Sequence, residues 1–419
     1  MSSGLVNHGL RVARRLLSGT VMKAVKEYQA RGEIQQEHFH LSSRVYDILP
    51  AEMVASRALP PAGPVRSATW FVPLNSHVGF GGMQTIFRVV DQLAGLGVKS
   101  RIVVCDNNPG GLDKIRAQVA FYFPRLAALE FQGFRLRDDS VENLPPTDIA
   151  FCTFWETAYV ALRFNQTGRK FYFIQDFEPS FYEGGSFYAL AEATYRFGFE
   201  GIFNTPGLGA FIKQRYGMSG LDFTPAVDRR YDAPRAAASD RRTRIFFYAR
   251  PGMPRNAFLL GVLVMRHLLA RYGSTVEIVT AGGTWAPSDY GLAGVRSLGL
   301  LPGIDEVAAL YRTCDIGFVF MLSKHPSYQP LEFMASGMAT VTNINEDNLW
   351  LLKDGENCLL AQPSPACVAA AISRLVDDPE LRRRVVAKGR ESISFDWGRP
   401  LDEISNFVLT ADCPVVGVD

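Results

Sequence analysis

The feature that most constrains the fold is a repeated alternation of short apolar runs with amphipathic helical segments. Residues 68–74 form an apolar run of strand length, and the segment 83–96 then places Ile86, Val90 and Leu93 on one helical face. Gly97 ends this helix, and residues 101–105 read as the next strand. Strands that alternate with helices predict a parallel sheet covered on both faces.

The alternation occurs in two series. Strands are predicted at 148–153, 170–175 and 201–204, then at 244–249, 275–281, 316–322 and 339–343, on either side of a polar, aperiodic stretch at 229–243. A chain of 419 residues suits two domains. We therefore predict an α/β fold with two Rossmann-like domains facing each other across a cleft. The predicted parts are an N-terminal helical extension (1–65), an acceptor domain (66–228), a donor-nucleotide domain (244–395) and a C-terminal helix and tail (396–419).

Composition narrows the classes of function. Lys and Arg total 44 against 42 Asp and Glu, so the net charge is +2, which argues against general nucleic-acid binding. A small anionic ligand held by a few arginines remains compatible. Six scattered cysteines without a C-x-x-C pair read as reduced core residues of a cytosolic protein. The sequence has no apolar run of the ~18 residues that a membrane span needs.

Residues 9–32 read as a basic, partly amphipathic helix and make a poor signal peptide. One interpretation is peripheral contact with anionic lipid at the inner face of the cytoplasmic membrane. The other, which we favour, is a basic surface helix packed on the domain.

Two arginines follow the first predicted strand of the second series. Arg250 and Arg255 lie in a loop between this strand and a helix, where the carboxyl edge of a parallel sheet binds ligands. Two guanidinium groups there could both bind a diphosphate. The alternative is two solvated surface arginines.

The stretch 323–337 also lies between a buried strand and a helix. The amides of Ser327, Tyr328 and Gln329 would point out of the helix start toward phosphate oxygens. Glu332 in the first turn would bind a ribose diol, or would only complement the helix dipole.

These two stretches resemble the C-terminal domain of family 4 glycosyltransferases, which have the GT-B fold. The resemblance implies that Arg250 and Arg255 contact the donor diphosphate and that Glu332, followed by Met-Ala-Ser-Gly at 334–337, is the second glutamate of the family's Glu-x7-Glu element. Lys324 stands where the family has its first glutamate, beside the donor sugar. Gly282, within Ala-Gly-Gly at 281–283, would let the backbone approach the base.

A narrower resemblance is to bacterial rhamnosyltransferases of surface-glycan assembly. It rests on the runs Tyr-Ala-Arg-Pro, His-Pro-Ser-Tyr-Gln-Pro-Leu-Glu and Phe-Ile-Gln-Asp-Phe-Glu-Pro. It implies transfer of L-rhamnose from dTDP-rhamnose to a glycan or lipid-linked glycan acceptor. The family resemblance implies retention of anomeric configuration. We expect no cofactor, and no metal because arginines can stabilise the leaving diphosphate.

The first domain supplies candidate acceptor-binding residues. His77, Gly81 and Gly82 lie in a loop between a strand and a helix, and Asp176 and Glu178 follow an aromatic-rich strand. Asp176 could bind acceptor hydroxyls or assist proton transfer, and we treat it as catalytic together with Arg250 and Arg255. Turn capping is the alternative for both carboxylates, and a surface position is the alternative for His77.

Two other functions remain open. A dinucleotide-dependent oxidoreductase would use the glycine loop, with Asp106 at the end of the second strand as its ribose-binding acid, although Thr85 replaces the last glycine of G-x-G-x-x-G. A non-catalytic module that binds a nucleotide sugar would use the same arginines.

Overall fold

The computed structural model describes residues 46–48, 52, 63–74, 78–79, 81–106, 111–136, 138–232 and 242–410. The predicted basic helix at 9–32 and the candidate His77 lie outside these ranges.

The first domain is built on a seven-stranded parallel sheet with strand order β3-β2-β1-β4-β5-β6-β7. Its strands are β1 (Ser67–Pro73), β2 (Lys99–Asp106), β3 (Glu130–Arg135), β4 (Thr147–Cys152), β5 (Thr167–Ile174), β6 (Glu200–Asn204) and β7 (Gly220–Phe223). Its helices are α1 (Gly81–Gly95), α2 (Leu112–Tyr122), α3 (Trp155–Arg163), α4 (Ser186–Ala193) and α5 (Pro206–Tyr216).

The second domain is built on a six-stranded parallel sheet with strand order β10-β9-β8-β11-β12-β13. Its strands are β8 (Thr243–Tyr248), β9 (Val276–Ala281), β10 (Val295–Ser297), β11 (Ile316–Val319), β12 (Ala339–Asn343) and β13 (Leu359–Ala361). Its helices are α6 (Phe258–Tyr272), α7 (Ile304–Tyr311), α8 (Tyr328–Ala335), α9 (Pro365–Asp377) and α10 (Pro379–Glu391), and α11 (Gly398–Leu409) follows them in the chain. The predicted α/β class with two Rossmann-like domains is confirmed.

Central strands carry the core of each domain. Five consecutive residues of β1 are buried, as expected for a strand covered on both faces. Trp70 on β1 stacks on Phe151 of β4 with ring centroids 3.8 Å apart, and in the second sheet Phe247 stacks on Phe318 at 4.6 Å. A Cβ at Gly261 would lie 2.0 Å from the Phe247 ring, so this glycine lets α6 pack closely on β8.

The chain crosses between the domains twice, and the two crossings touch. The amide of Val227, before the second domain, donates to the carbonyl of Ser394, after α10, at 2.8 Å. Helix α11 then returns to the first domain, where Ile404 and Val408 are buried in the core around β1. The last helix is therefore part of the first domain's packing.

Two expectations need correction. Cys105, Cys152, Cys314 and Cys358 are buried thiols that form no disulfide, but Cys367 on α9 is exposed, since it falls on the outer face of that helix. The predicted polar linker at 229–243 begins with a 3₁₀ turn, Arg229–Tyr231, whose Tyr231 is buried and stacks on Tyr311 at 5.8 Å. Among the described residues, no helix is long and apolar enough to cross a membrane.

Candidate functional site

A cavity of about 650 Å³ separates the carboxyl ends of the two sheets and is lined by both domains. It brings together most of the predicted site residues. The first domain contributes Gly81, Gly82, Asp176 and Glu178, and the second contributes Arg250, Arg255, Gly282, Ser327, Tyr328, Gln329 and Glu332. We call this cavity the cleft.

Arg250 reaches the cleft from the loop after β8. Its Nη1 donates to the Tyr248 hydroxyl at 2.7 Å, and the side chain is half-buried. Gly282 lies beside the same tyrosine with φ +120°, and a Cβ there would come within 2.8 Å of the Tyr248 ring. Only glycine fits this position, so the backbone after β9 stays open to a ligand.

The start of α8 is strained where it meets the cleft. Ser327 has φ +66°, and its amide donates to His325 Nδ1 at 2.9 Å, while its hydroxyl bonds Gln329 Oε1. The other non-glycine residues with positive φ in the described chain are Thr205 and Ala257, at the starts of α5 and α6. Strained backbone therefore collects at helix starts along the carboxyl edges, a pattern typical of functional sites.

Glu332 is half-buried in the first turns of α8, and its carboxylate accepts a hydrogen bond from the Tyr231 hydroxyl. Burial raises its pKa to about 7, although the bond from Tyr231 opposes the shift. The carboxyl group is thus available to the cleft in both protonation states near neutral pH.

Asp176 joins the two domains across the cleft. Its Oδ2 lies 3.0 Å from Arg255 Nε, and its Oδ1 accepts hydrogen bonds from the Phe177 amide and the Ser323 hydroxyl. The Arg255 guanidinium also lies over the Phe181 ring, 4.2 Å from its centroid. Burial raises the pKa of Asp176, while Arg255 and Ser323 favour its ionised form. Both carboxylate oxygens are therefore engaged in this closed arrangement.

Glu178 has a different environment from Asp176. It is only 3 % exposed, and its Oε2 accepts from the Trp155 amide and, at 2.8 Å, from the Tyr172 hydroxyl. Burial raises its pKa to about 8, so it is mostly protonated at neutral pH. It borders the cleft, but these bonds inside the first domain fix its carboxyl group, which suits a structural acid better than the predicted acceptor-binding group.

Tyr328 is the second direct link between the domains. Its hydroxyl bonds Thr85 Oγ1 at 2.8 Å and accepts from Asn204 Nδ2 at 2.7 Å, so the start of α8 contacts both α1 and the end of β6. Nearby, a Cβ at Gly207 would lie 1.8 Å from the backbone oxygen of Asp347, which shows how closely α5 approaches the second domain.

Lys324, predicted to bind the donor, does not line the cleft. Its ammonium group pairs with Asp347 at 2.9 Å and lies over the Phe211 ring at 4.7 Å. The chain turns between Lys324 and Ser327, so adjacent side chains face different surroundings. The charge of Lys324 therefore serves the contact between domains.

His325 and Tyr231 are cleft-lining residues that the sequence argument missed. His325 lay within a run that carried the family resemblance, but nothing in the sequence indicated that its ring is 2 % exposed. Burial and the nearby charge of Arg255 lower its pKa to about 3. Tyr231 was hidden in an otherwise polar stretch, where a lone aromatic residue was the only signal.

The aromatic residues near Asp176 fall into two groups, one lining the cleft and one packed on the core. Phe181 lines the cleft under Arg255, whereas Tyr182, Phe187 and Tyr188 pack against the first domain's core. Within the described ranges, no three His, Cys, Asp or Glu side chains come together in a way that could hold a metal ion.

Family models match each domain. Residues 70–205 match the N-terminal domain of WsaF, and residues 243–373 match its C-terminal domain. The O-antigen biosynthesis protein RfbC of Myxococcus xanthus is 40% identical over 423 residues, which include 97% of this chain. The chain spans 33% of the length of that relative.

Solved structures share the fold at low sequence identity. HepE of Anabaena in complex with UDP and glucose has a TM-score of 0.63 at 15% identity, covering 81% of this chain and 99% of that one. A mutant form of S. aureus TarM in complex with fondaparinux, α-GlcNAc-glycerol and UDP has a TM-score of 0.61 at 11% identity, covering 82% of this chain and 100% of that one. The fold is therefore GT-B.

Proposed function

We propose that this chain transfers a sugar from a nucleoside-diphosphate donor, held on the second domain, to a glycan acceptor held on the first. The observation that carries the proposal is the cleft itself, where Arg250 and Arg255 lie opposite Asp176 between two Rossmann-like sheets. Two guanidinium groups and the start of α8 offer a diphosphate positive charge from three directions.

Binding of the donor would replace contacts that the residues of the cleft make with one another. A diphosphate between Arg250 and Arg255 would share or replace the contact of Arg255 with Asp176. Glu332 would hold the ribose beside Tyr231, and Gly282 would border the base. Release of Asp176 from Arg255 would free a carboxylate for the acceptor hydroxyl. The arginines would stabilise charge on the leaving diphosphate, so we propose transfer without a metal.

The donor sugar and acceptor are the finer part of the proposal. We propose dTDP-rhamnose as donor, from the resemblance to surface-glycan rhamnosyltransferases, and transfer with retention. An O-antigen or a related surface glycan is the proposed acceptor, because the relative from Myxococcus xanthus is named for O-antigen biosynthesis.

Calorimetry with dTDP, UDP, GDP and NAD tests the site, and the same titrations with Arg250→Ala test its location. We expect dTDP to bind wild-type protein and to bind the variant much more weakly. Preference for UDP or GDP would remove rhamnose from the proposal but leave the transferase. Binding of NAD alone would favour the oxidoreductase and overturn the proposal.

Turnover separates an enzyme from a binding module. With dTDP-rhamnose and a glycan acceptor, Asp176→Asn is expected to lower kcat without weakening dTDP binding, because dTDP no longer competes with a carboxylate for Arg255. Donor binding without transfer or donor hydrolysis by wild-type protein would identify a non-catalytic module. NMR of the product anomer would decide between retention and inversion.

A further inference from the structure

The imidazole of His325 is held in one tautomer. Its Nδ1 accepts the Ser327 amide at 2.9 Å, so the proton of the neutral ring is on Nε2. Burial and the neighbouring Arg255 keep the ring neutral. His325 therefore presents a hydrogen-bond donor of fixed position and no charge.

This donor has no partner. Nε2 of His325 is buried, and no acceptor within the described chain reaches it, although the residue lines the cleft. Buried polar groups nearly always have a hydrogen-bond partner, and one without a partner at a cleft points to a ligand.

Gln175 presents the complementary group from the first domain. Its Nε2 donates to the Gly82 carbonyl at 3.0 Å, which fixes the orientation of the amide and leaves Oε1 buried with no partner among the described residues. Asp176, next to Gln175, bonds Ser323, two residues before His325. Gln175 and His325 both line the cleft, so the two residues border the same cavity from opposite domains.

The opposite polarity of the two atoms identifies the ligand group. Phosphate oxygens only accept hydrogen bonds, so a phosphate could pair with His325 but not with Gln175 Oε1. A hydroxyl group both donates and accepts, so sugar hydroxyls satisfy both atoms. The anionic part of the donor already has Arg250 and Arg255.

We propose that His325 Nε2–H donates a hydrogen bond to a hydroxyl oxygen of the transferred sugar, while Gln175 Oε1 accepts one from a sugar hydroxyl. His325 is thus a specificity-determining residue for the sugar. The inference rests on the proposed function and deepens it. It also assigns sugar recognition to His325, whereas Lys324 beside it is turned toward Asp347.

Two substitutions of His325 test the two hydrogen-bonding atoms of its ring one at a time. His325→Asn can keep the acceptor for the Ser327 amide but loses the donor at Nε2. His325→Gln places an N–H near the Nε2 position but loses the acceptor for Ser327. We expect His325→Asn to lower kcat/KM for dTDP-rhamnose about 10- to 100-fold with dTDP affinity unchanged, and His325→Gln to retain most of the activity. Gln175→Met should likewise lower kcat/KM for dTDP-rhamnose and leave dTDP affinity unchanged.

The outcomes are distinguishable. A parallel loss of dTDP affinity in His325→Asn would show that the N–H group of His325 binds phosphate rather than the sugar, which would overturn the inference. Equal losses in both variants would mean that the ring only supports the start of α8, which also overturns it. Full activity of His325→Asn would do the same. If wild-type protein bound no nucleoside diphosphate at all, the proposed function itself would fail.

Discussion

The two domains present different kinds of polar surface to the same cleft. On the first domain, Glu178 is bonded to Trp155 and Tyr172 within its own domain, and both oxygens of Asp176 are engaged. On the second domain, the Arg250 guanidinium donates to the Tyr248 hydroxyl and lies over its ring, and His325 Nε2 has no partner among the described residues.

The difference follows from charge and burial. Carboxyl groups buried after an aromatic-rich strand need hydrogen-bond donors to compensate for burial. Glu178 has them within its own domain, and Asp176 has them partly in the second domain. The guanidinium group of Arg250, half-buried after β8, keeps further N–H donors for an anion. Arg250 is therefore available to the donor before it binds, whereas Arg255 and Asp176, which pair with each other, must exchange partners.

The largest expected effect tests whether Glu178 is a structural acid. Its pKa is 4.5 ordinarily and about 8 here, so between these values the folded protein binds a proton that the unfolded chain lacks. Stability therefore falls as pH rises through this window, by at most about 5 kcal/mol. In Glu178→Gln this pH dependence disappears, because the amide does not titrate. Its oxygen can still accept hydrogen bonds from Trp155 and Tyr172.

Urea unfolding at pH 5 to 9 measures this effect, with Glu183→Gln on the exposed surface as control. The stability of Glu178→Gln relative to wild type should increase with pH. A constant difference across the range would contradict a protonated Glu178.

The next effect tests the donor side. Arg250→Ala should weaken dTDP binding about 10- to 100-fold, the loss of one or more charged hydrogen bonds of about 1.5–3 kcal/mol. Arg271→Ala is the matched control, since that arginine is 60% exposed and pairs with Asp377 on α9. Calorimetry that gave equal affinities for the two variants would remove Arg250 from the site.

A third substitution tests the contact between the domains. In Gly207→Ala the new methyl group would meet the Asp347 carbonyl, a backbone atom that cannot rotate away. Such overpacking costs about 1–3 kcal/mol, which we expect to shift the domains apart rather than unfold either one. Small-angle scattering should show a larger radius of gyration with unchanged circular dichroism. An unchanged radius with a lower melting temperature would mean that the strain stays within α5.

The smallest effect defines the edge of the donor site. Lys324→Met should cost about 0.2–1 kcal/mol of stability, because its pair with Asp347 is partly exposed, and should leave dTDP affinity unchanged. Lost dTDP binding in calorimetry would restore Lys324 to the donor site.

The fold was largely predictable because the central strands are easily recognised in the sequence. Five buried residues in succession in β1 produce a clear apolar run. The strands that escaped prediction, β3, β7, β10 and β13, lie toward the sheet edges, and β10 and β13 have only three residues each. Such short runs carry little periodicity.

The positions of the site residues could be predicted from the sequence, but their hydrogen-bond and ion-pair partners could not. Strand ends mark the edge of a parallel sheet, so Arg250, Arg255, Asp176 and Glu332 could be placed at the cleft. The pairing of Arg255 with Asp176 depends on how two domains meet, and the direction of Lys324 depends on the turn at Ser327. Neither is encoded in local spacing.

The two crossings between the domains lie side by side, where the Val227 amide donates to the Ser394 carbonyl. We expect a rotation of one domain against the other to use the line through these crossings as its axis. Atoms near the axis move little for a given angle, and distant atoms move in proportion to their lever arm. Tyr231, only four residues after Val227, would thus keep its bond to Glu332 as the cleft opens. The ribose end of the donor would find its site already formed, while the catalytic end assembled last.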